Sequence, residues 1–430
     1  MSPQRILVVG AGGREHALAW RLSQDRDVAE VWLAPGNEGA GREHPCLDVA
    51  ESDATGLVAT CRAHAIDLVV IGPEAPLASG LADTLAAASV PVFGPSAAAA
   101  RIESSKWFAK RLLVECGVPT AHAECCEDAA TARAALAAAA PPFVLKADGL
   151  AAGKGVCVTS DAREAEAFLE QCFERDRFGP SGHRVLIEEH LTGEECSVMA
   201  LCDGRDALLL PAARDYKRAR DGDAGPNTGG MGAIAPSPAW NDALAALVLE
   251  RVVRPVLAAL VARGTPYRGA LYCGLMLTAS GVRVIEFNCR FGDPETQSIL
   301  PLVDGAFAAA LGAAAAGSLA GHALETGRRA AVTIALVDEG YPDAVVGGGT
   351  ITSLDDVATL PGVHVFHAAS ERADDAWRVR GGRAAYVTAI GERLEEAHDT
   401  AYRAIARLGG AGWRCRHDIL GPAPSGALRA

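Results

Sequence analysis

Over the first hundred residues, short apolar runs alternate with amphipathic stretches. The runs at 5–9, 31–34 and 68–71 each end at a loop rich in glycine or proline, and a helical pattern follows each loop. This order of strand, loop and helix predicts a parallel sheet whose strand ends gather a ligand. We therefore expect residues 1–104 to form an N-terminal α/β domain.

The pattern changes after residue 105, where strands, helices and glycine-rich loops no longer alternate regularly. Apolar strands at 143–147, 155–159 and 184–190 surround a predicted helix at 162–174, which indicates a compact unit of its own. New apolar strands begin at 331, and a predicted helix closes that region. The chain is thus expected to combine α/β and α+β domains, which are residues 1–104, 105–330 with a small subdomain at about 122–192, and 331–430.

Composition and charge narrow the possible partners. The chain has 430 residues, 50% of them hydrophobic, and a formal net charge of −13. A negative charge of this size argues against a general nucleic-acid or anionic-membrane binder. The most weakly polar run, 306–320, is too short to span a bilayer. Twelve cysteines without a C-x-x-C pair fit free thiols in a reducing cytoplasm, so we expect a cytoplasmic protein.

The first glycine loop, G-A-G-G at 10–13, follows a strand and precedes a helix, as in dinucleotide-binding proteins. However, the third fingerprint glycine is replaced by Glu15, and no acidic residue follows the second strand. A nicotinamide site is therefore disfavoured. The pattern favours a loop that approaches a substrate phosphate beside Arg14, and the alternative is a tight turn that requires small residues.

A second glycine loop, G-L-A-A-G-K at 149–154, is one residue short of a P-loop, and Gly155 stands where Ser or Thr would hold magnesium. Only five residues of the chain are lysines, and three of them lie near this loop in the predicted structure: Lys106, Lys146 and Lys154. Lys106 opens a helix capped by Ser105, where a cation is unfavourable unless an anion shares the site. Lys110, one turn later, is expected at the surface.

Polar residues alternate with apolar ones in V-I-E-F-N-C-R at 284–290. Glu286, Asn288 and Arg290 share one face if the strand continues to residue 290. A carboxylate and an amide oxygen are suitable ligands for Mg²⁺, and arginine can pair with phosphate. The alternative is a solvated strand face. Together with the lysines, this pattern predicts a triphosphate site for phosphoryl transfer.

Several stretches, spread over nearly the whole chain, resemble those of one protein family. They are GGREHAL at 12–18, APGN at 34–37, GPEAPL at 72–77, KADGLAAGKGV at 146–156, EEHLTGEE at 188–195, GPNTGGMGA at 225–233 and EFNCRFGDPETQ at 286–297, with GYP at 340–342 and GGR at 381–383. The chain thus resembles the ATP-grasp superfamily and, within it, the phosphoribosylamine–glycine ligases of purine biosynthesis. The resemblance implies a Rossmann-like N-terminal domain, an ATP-grasp central region with a small lid lobe, and an α+β C-terminal domain.

The resemblance also implies a reaction, in which ATP, glycine and 5-phosphoribosylamine give ADP, phosphate and glycinamide ribonucleotide through a glycyl phosphate. Matched by motif, the positions expected to bind ATP are Lys106, Lys146, Gly149, Gly153, Lys154, Gly155, Glu188, Glu189, Leu191 and Glu195. Those expected to face the other substrates are Gly12, Gly13, Arg14, Asn37, Glu74, Asp215, Asn227, Gly229, Gly230, Arg290 and Asp293. The resemblance assigns Mg²⁺ or Mn²⁺ to Glu286 and Asn288, and direct roles in catalysis to Arg290, Lys146, Asp215 and Lys217.

The chain departs from the family at three positions, because Tyr216 replaces a usual histidine, Ser104 a usual glycine and Cys273 a common alanine. Other hypotheses stay open at this point: an ATP-grasp ligase that uses formate or bicarbonate, a nicotinamide-dependent oxidoreductase, and a non-catalytic nucleotide-binding regulator. We expect small-molecule substrates, a monomer, and no nucleic-acid or membrane partner.

Overall fold

The computed structural model describes residues 3–151 and 154–421. The N-terminal domain is built on a parallel sheet with strand order β2-β1-β3-β4, as the alternating pattern predicts. Its elements are β1 Gln4–Gly10, α1 Gly13–Ser23, β2 Val28–Pro35, α2 Ala54–Ala63, β3 Leu68–Ile71, α3 Glu74–Ala78, α4 Leu81–Ala87, β4 Val92–Phe93 and α5 Ala97–Ser104.

Next along the chain come a helix and a small antiparallel lobe. The helix α6 begins at Lys106, where the hydroxyl of Ser105 accepts a hydrogen bond from the Phe108 N–H. The lobe has the strand order β5-β8-β6-β7 and a hydrophobic core of its own, so it packs as a separate unit. The elements are α6 Lys106–Glu115, β5 Ala123–Cys126, α7 Ala129–Ala138, β6 Phe143–Ala147, β7 Val156–Thr159, α8 Ala162–Phe173 and β8 Val185–Glu188.

The larger central lobe is built on an antiparallel sheet of order β10-β9-β15-β16. Its core is continuous with that of the N-terminal domain, so the two form one packed body. The elements are β9 Glu194–Asp203, β10 Ala207–Leu209, β11 Arg214–Asp215, β12 Arg218–Arg220, β13 Ala224–Asn227, β14 Gly232–Ala235, α9 Asp242–Val248, α10 Arg254–Ala262, β15 Arg268–Thr278, β16 Gly281–Asn288, α11 Glu295–Ile299, β17 Val303–Asp304, α12 Phe307–Ala316 and β18 Glu325–Thr326.

The C-terminal sheet has the order β11-β14-β19-β24-β21, and β26 pairs with β19. Because β11 and β14 belong to the central region, this sheet crosses the boundary predicted at residue 330. The C-terminal domain thereby holds the 214–235 segment in place. Its own elements are β19 Ala330–Asp338, β20 Thr350–Thr352, α13 Leu354–Ala358, β21 Val363–His367, β22 Ser370–Ala373, β23 Ala376–Val379, β24 Arg383–Gly391, α14 Leu394–Ile405, β25 Gly409–Ala411 and β26 Trp413–Arg414.

Candidate active site

A cavity of about 920 Å³ lies where the small lobe, the large lobe and both terminal domains meet. It collects most of the residues that the sequence patterns and the resemblance single out. The predicted residues that line it are Arg14, Glu74, Lys106, Lys146, Gly149, Gly155, Glu188, Glu189, Leu191, Glu195, Asp215, Lys217, Asn227, Gly229, Glu286, Asn288, Arg290 and Asp293.

Two lysines share one buried carboxylate on the small-lobe side of the cavity. Lys146 comes from β6 and Glu188 ends β8, and the Lys146 Nζ lies 2.9 Å from the Glu188 Oε2. Lys110 pairs with the other oxygen of Glu188 at 3.2 Å. The prediction that Lys110 lies at the surface is therefore wrong: the residue is 5% exposed and lines the cavity. Its ammonium group also donates to Thr120 Oγ1 at 2.9 Å and to the Ala121 carbonyl oxygen at 3.1 Å, and the helical pattern alone did not indicate these partners.

The start of the second glycine loop is tied to the first turn of α6. Lys106 donates to the Gly149 carbonyl oxygen at 2.8 Å, and Asp148 accepts from the Ser105 hydroxyl and the Trp107 N–H, both at 3.0 Å. Burial lowers the pKa of Lys106, and the opposite effect of nearby carboxylates, above all Glu286, is too small to restore the usual value. The loop is thus held at the cavity wall with a cation beside it.

The predicted ATP-binding positions of this loop are not all at the cavity wall. Gly149 and Gly155 line the cavity, whereas Lys154 is exposed and is not among the lining residues. Gly153 lies outside the described residues. Of the two lysines that flank or lie in the described part of this loop, Lys146 at the end of β6 lines the cavity and Lys154 does not.

The strand β16 presents Glu286 and Asn288 to the cavity, as period-two alternation predicts. The strand ends at Asn288, so Arg290 reaches the same cavity from the loop beyond it. Burial raises the pKa of Glu286, but the charges of Lys217, Lys146 and Lys106 outweigh it and lower the pKa below its usual value. Glu286 is thus held as a carboxylate among cations.

Arg290 is clamped between two carboxylates. Its Nε lies 3.3 Å from Glu74 Oε2, and its Nη2 lies 3.4 Å from Glu103 Oε1. Its Nη1 donates to the Phe291 carbonyl oxygen at 3.2 Å. The sequence reasoning missed Glu103, although it lies only three residues before Lys106. These contacts fix the plane of the guanidinium group.

An acidic recess lies opposite, around Asp215 of β11. Oδ1 of Asp215 is buried and has no hydrogen-bond partner in the described part of the chain. Glu295, which is 3% exposed, adds a second carboxylate, and burial followed by the charge of Glu295 raises the pKa of Asp215 well above its usual value. Lys217 lies at the recess edge, 3.1 Å from Glu195 and 3.8 Å from Glu286. Glu295 lies in the EFNCRFGDPETQ stretch, but the sequence pattern did not predict a role for it.

The C-terminal domain contributes a cation from the start of β24. Arg383 donates to the Gly229 carbonyl oxygen at 2.6 Å and to the Asp293 carbonyl oxygen at 2.9 Å, and it pairs with the Asp293 carboxylate at 3.4 Å. Tyr341 also accepts from the Gly229 N–H at 2.9 Å. Both side chains lie in the GYP and GGR stretches, which gave no residue assignment. Gly230, by contrast, lies behind the wall and not in its lining.

Residues 10–13 of the first glycine loop are not among the residues that line the cavity, although Arg14 directly after them is. Glu15 fills the space that the loop encloses: its Oε2 accepts from the Gly12 N–H at 2.7 Å, and its Oε1 binds Arg14 Nε at 2.5 Å. A Cβ on Gly10 would lie 2.6 Å from Glu15 Cγ, and one on Gly72 would overlap its carboxylate. Neither Gly12 nor Gly13 is among the residues that line the cavity, so their contact with a substrate phosphate stays a prediction.

Asn37 also lies away from the cavity lining. Its amide nitrogen donates to the carbonyl oxygens of Ala11 and His367, both at 2.9 Å, and its Oδ1 accepts from the Ala40 N–H at 2.9 Å. Both ends of the amide are therefore used within the protein. These contacts join the N-terminal and C-terminal domains, and the substrate contact of Asn37 stays a prediction.

Family models and relatives agree with this arrangement. The models of the N, ATP-grasp (A) and C domains of phosphoribosylglycinamide synthetase match residues 4–103, 104–296 and 331–421. The chain belongs to this family. A phosphoribosylamine–glycine ligase of Streptomyces coelicolor is 46% identical over 422 residues, which cover 97% of this chain and 99% of the relative. One of Phenylobacterium zucineum is 46% identical and covers 96% of this chain and 98% of the relative.

Solved structures extend the comparison to the fold. The crystal structure of a phosphoribosylamine–glycine ligase from Thermotoga maritima matches with a TM-score of 0.82 and 34% identity, and the match covers 96% of this chain and 99% of that one. The biotin carboxylase domain of Hydrogenobacter thermophilus 2-oxoglutarate carboxylase, solved with MgADP and bicarbonate, matches with a TM-score of 0.72 at 16% identity, over 96% of this chain and 92% of that one. This second likeness shows the fold alone. Among the described helices, none is long and apolar enough to cross a membrane.

Proposed function

We propose that this chain is an ATP-dependent ligase that joins glycine to 5-phosphoribosylamine in purine biosynthesis. The products are glycinamide ribonucleotide, ADP and phosphate. Membership of the phosphoribosylglycinamide synthetase family over nearly the whole chain supports this activity. The observation that carries it in the structure is one cavity that combines phosphate-binding lysines, a pair of metal-ligand oxygens and a separate acidic recess.

ATP would enter between the two central lobes. Lys106 and Lys146 would bind its phosphates, because both lie at the wall beside the loop that begins at Gly149. The segment Glu188–Leu191 connects the lobes and would contact the adenine, while Glu195 would accept from the ribose hydroxyls. In this proposal Glu188 has a second role, since its side chain holds Lys146 in place at 2.9 Å.

The donor set on β16 fits a divalent cation of the Mg²⁺ or Mn²⁺ type. Among the described residues, no group of three or more His, Cys, Asp and Glu side chains could hold a metal alone. Glu286 and Asn288 supply two oxygens from one strand face. Few protein ligands are usual for Mg²⁺ when nucleotide phosphates and water provide the remaining ligands. A cation bound there would neutralise charge on the phosphates. Glu286 is ready for this role because the nearby lysines keep it ionised.

Glycine would occupy the acidic recess. A buried carboxylate oxygen without a partner is costly, and an ammonium group would satisfy it. The unpartnered Asp215 Oδ1, with Glu295 close by, therefore suits the amino group of glycine. Lys217 and Arg290 would direct the glycine carboxylate and the transferred phosphoryl group toward each other.

Phosphoribosylamine would lie on the side of the N-terminal and C-terminal domains. Arg14, Glu74, Asp293 and Arg383 line that part of the cavity, so they could pair with its phosphate and hydroxyl groups. Arg383 links this wall to Gly229 and Asp293 by hydrogen bonds. The C-terminal domain would therefore complete the binding site for this substrate.

Two chemical steps follow from this placement. An oxygen of the glycine carboxylate attacks the γ-phosphorus of ATP, and the bond to the β-phosphate oxygen breaks, which releases ADP and forms glycyl phosphate. The amine of phosphoribosylamine then attacks the acyl carbon, phosphate leaves, and the amine loses a proton. The lysines would stabilise charge on the transferred phosphoryl group.

The proposal is tested by phosphate release from ATP with Mg²⁺, with glycine and freshly generated phosphoribosylamine added separately and together. Rapid release is expected only when both substrates are present. Release that ignores either substrate, or that requires formate or bicarbonate, would exclude this ligase activity in favour of another ATP-grasp reaction. Mass spectrometry of the product should show glycinamide ribonucleotide.

A further inference from the structure

Glu103, at the end of α5, binds three consecutive residues at the end of β16. Its Oε2 accepts from the Cys289 N–H at 2.7 Å, and its Oε1 lies 3.4 Å from the Arg290 guanidinium. The same Oε1 accepts from the Asn288 Nδ2 at 3.2 Å in the amide orientation that satisfies both ends of that side chain. Glu103 is only 9% exposed. One buried carboxylate thus controls the strand end that carries the metal-ligand pair.

The orientation of the Asn288 amide matters because its two ends differ in chemistry. The carbonyl oxygen can bind a cation, whereas the NH₂ group cannot, and rotation by half a turn exchanges them with little change of shape. When Nδ2 donates to Glu103 and to the Phe287 carbonyl oxygen, at 3.2 and 3.0 Å, Oδ1 faces donor groups instead of acceptors. A neighbour that only accepts hydrogen bonds therefore selects the orientation with the oxygen available.

The surroundings of Glu103 indicate that it acts as an acceptor in all three contacts. Its partners are a backbone N–H, a guanidinium group and an amide NH₂. Each of these groups donates a hydrogen bond, so both oxygens of Glu103 face donors.

We propose that Glu103 is a positioning residue, which turns the Asn288 oxygen toward the metal and holds Arg290 beside it. This inference rests on the proposed function, because it uses the metal pair assigned there. Glu103 precedes Lys106 by three residues, so one short segment would place both a phosphate-binding lysine and the metal-ligand amide. The expected consequence is that Glu103 controls metal affinity without touching the metal.

The test measures Mn²⁺ binding in the presence of ADP by electron paramagnetic resonance, which reads the metal and not turnover. Glu103→Gln presents an NH₂ group to its neighbours, so the Asn288 amide turns and loses its oxygen from the metal side. Mn²⁺ affinity is expected to fall about 10- to 100-fold, as for other residues that orient metal ligands. Adding Asn288→Asp should restore affinity to within about threefold, because a carboxylate presents an oxygen in either orientation.

The outcomes separate this inference from the metal assignment. If Asn288→Ala weakens Mn²⁺ binding but Glu103→Gln does not, the role of Glu103 is overturned and the metal pair stands. If Glu103→Gln weakens binding and Asn288→Asp does not rescue it, Glu103 is structural and the inference is overturned. If Asn288→Ala has no effect, the metal assignment fails and the inference fails with it.

A second measurement does not depend on the single Glu103 variant folding well. Asn288→Asp alone places a new carboxylate against Glu103, and repulsion should lower its thermal unfolding midpoint without metal. The double variant with Glu103→Gln should unfold at a higher temperature than Asn288→Asp alone. Equal midpoints, or a lower one for the double variant, would show that the two side chains do not face each other and would overturn the proposal.

Discussion

Two glycine-rich loops follow strands in this chain, and they differ in what occupies the space beside them. The loop at residues 10–13, after β1, encloses the carboxylate of Glu15, which accepts from the Gly12 N–H at 2.7 Å. The loop that begins at Gly149, after β6, borders the large cavity and has Lys106 on its carbonyl oxygen at 2.8 Å. In the first loop a side chain of the protein occupies the space beside the glycines. The start of the second loop borders a cavity that could hold a ligand.

The comparison shows why glycine spacing alone does not identify an anion site. A glycine loop before a helix offers N–H groups and a favourable dipole to any anion. In the first loop a side chain from the same helix takes that place. What distinguishes a binding loop from a structural turn is therefore whether its polar groups are already paired and whether cations converge on it from other elements, as Lys106 and Lys146 do.

The largest effect that tests this contrast concerns two lysines, Lys146 at the end of β6 and Lys154 within the second loop. Lys146→Ala removes a buried cation from the cavity wall and leaves Glu188 with Lys110 alone. We expect kcat/KM for ATP to fall about 10²- to 10³-fold, the usual scale for a charge that stabilises the transferred group. Lys154→Ala, at an exposed position, should cost less than about tenfold. Steady-state kinetics with varied ATP measures both.

The opposite order of the two lysine variants would contradict this prediction. If Lys154→Ala loses more activity than Lys146→Ala, with both proteins folded by circular dichroism, the phosphate-binding role belongs to the loop and not to the end of β6. The open loop would then act by closing on ATP, and the fixed cations would be secondary.

Local signals were enough to predict much of the fold, because they depend on neighbours in sequence. The parallel N-terminal sheet follows from its strand, loop and helix order, the start of α6 from the Ser105 cap, and the shared cavity face of Glu286 and Asn288 from period-two alternation. The missed features join distant segments. Lys110 pairs with Glu188, more than seventy residues later, and Arg383 reaches the cavity from another domain. No local pattern encodes such contacts.

A smaller effect tests whether Glu15 really fills the first loop. A Cβ on Gly72 would overlap the Glu15 carboxylate, so Gly72→Ala should lower the free energy of unfolding by about 1–3 kcal/mol through overpacking. Urea denaturation measures this change. Gly41→Ala is the matched control, because its added Cβ would meet only Cys46 Sγ, at an ordinary 3.5 Å. Equal stability of the two variants would mean that the loop has room for a ligand.

The carboxylate of Glu15 should also affect substrate binding, because it contacts Arg14. Glu15→Gln keeps the shape but weakens the contacts to the Gly12 N–H and Arg14 Nε. We expect a loss of about 1–2 kcal/mol in the free energy of unfolding, as for a charged hydrogen bond, and a higher KM for phosphoribosylamine because Arg14 loses its orientation. The KM for ATP should not change. A rise in the KM for ATP instead would place the first loop at the nucleotide.

The smallest expected effect concerns His367 of the C-terminal domain, whose backbone contacts two residues near the first loop, His16 and Asn37. The backbone of His367 donates to His16 Nδ1 and accepts from Asn37, both at 2.9 Å. Burial, followed by the neighbouring His16, lowers the pKa of His367 to about 3, against about 6.5 in an unfolded chain. Between these values the unfolded state binds more protons, so stability falls as the pH drops below about 6.5.

His367→Asn removes this titration and keeps a partner for Ser370, which lies 2.9 Å from the ring. The variant should be less stable at pH 7.5 because it packs less well against Trp377. Its free energy of unfolding should decline less steeply between pH 6.5 and pH 5 than that of the wild type, by up to about 1.4 kcal/mol per pH unit. The same substitution at the exposed His183 is the control and should leave the acid slope unchanged. Equal slopes for His367→Asn and the wild type would mean that the pKa of His367 is the same in the folded and unfolded protein, so that burial does not keep protons from its ring.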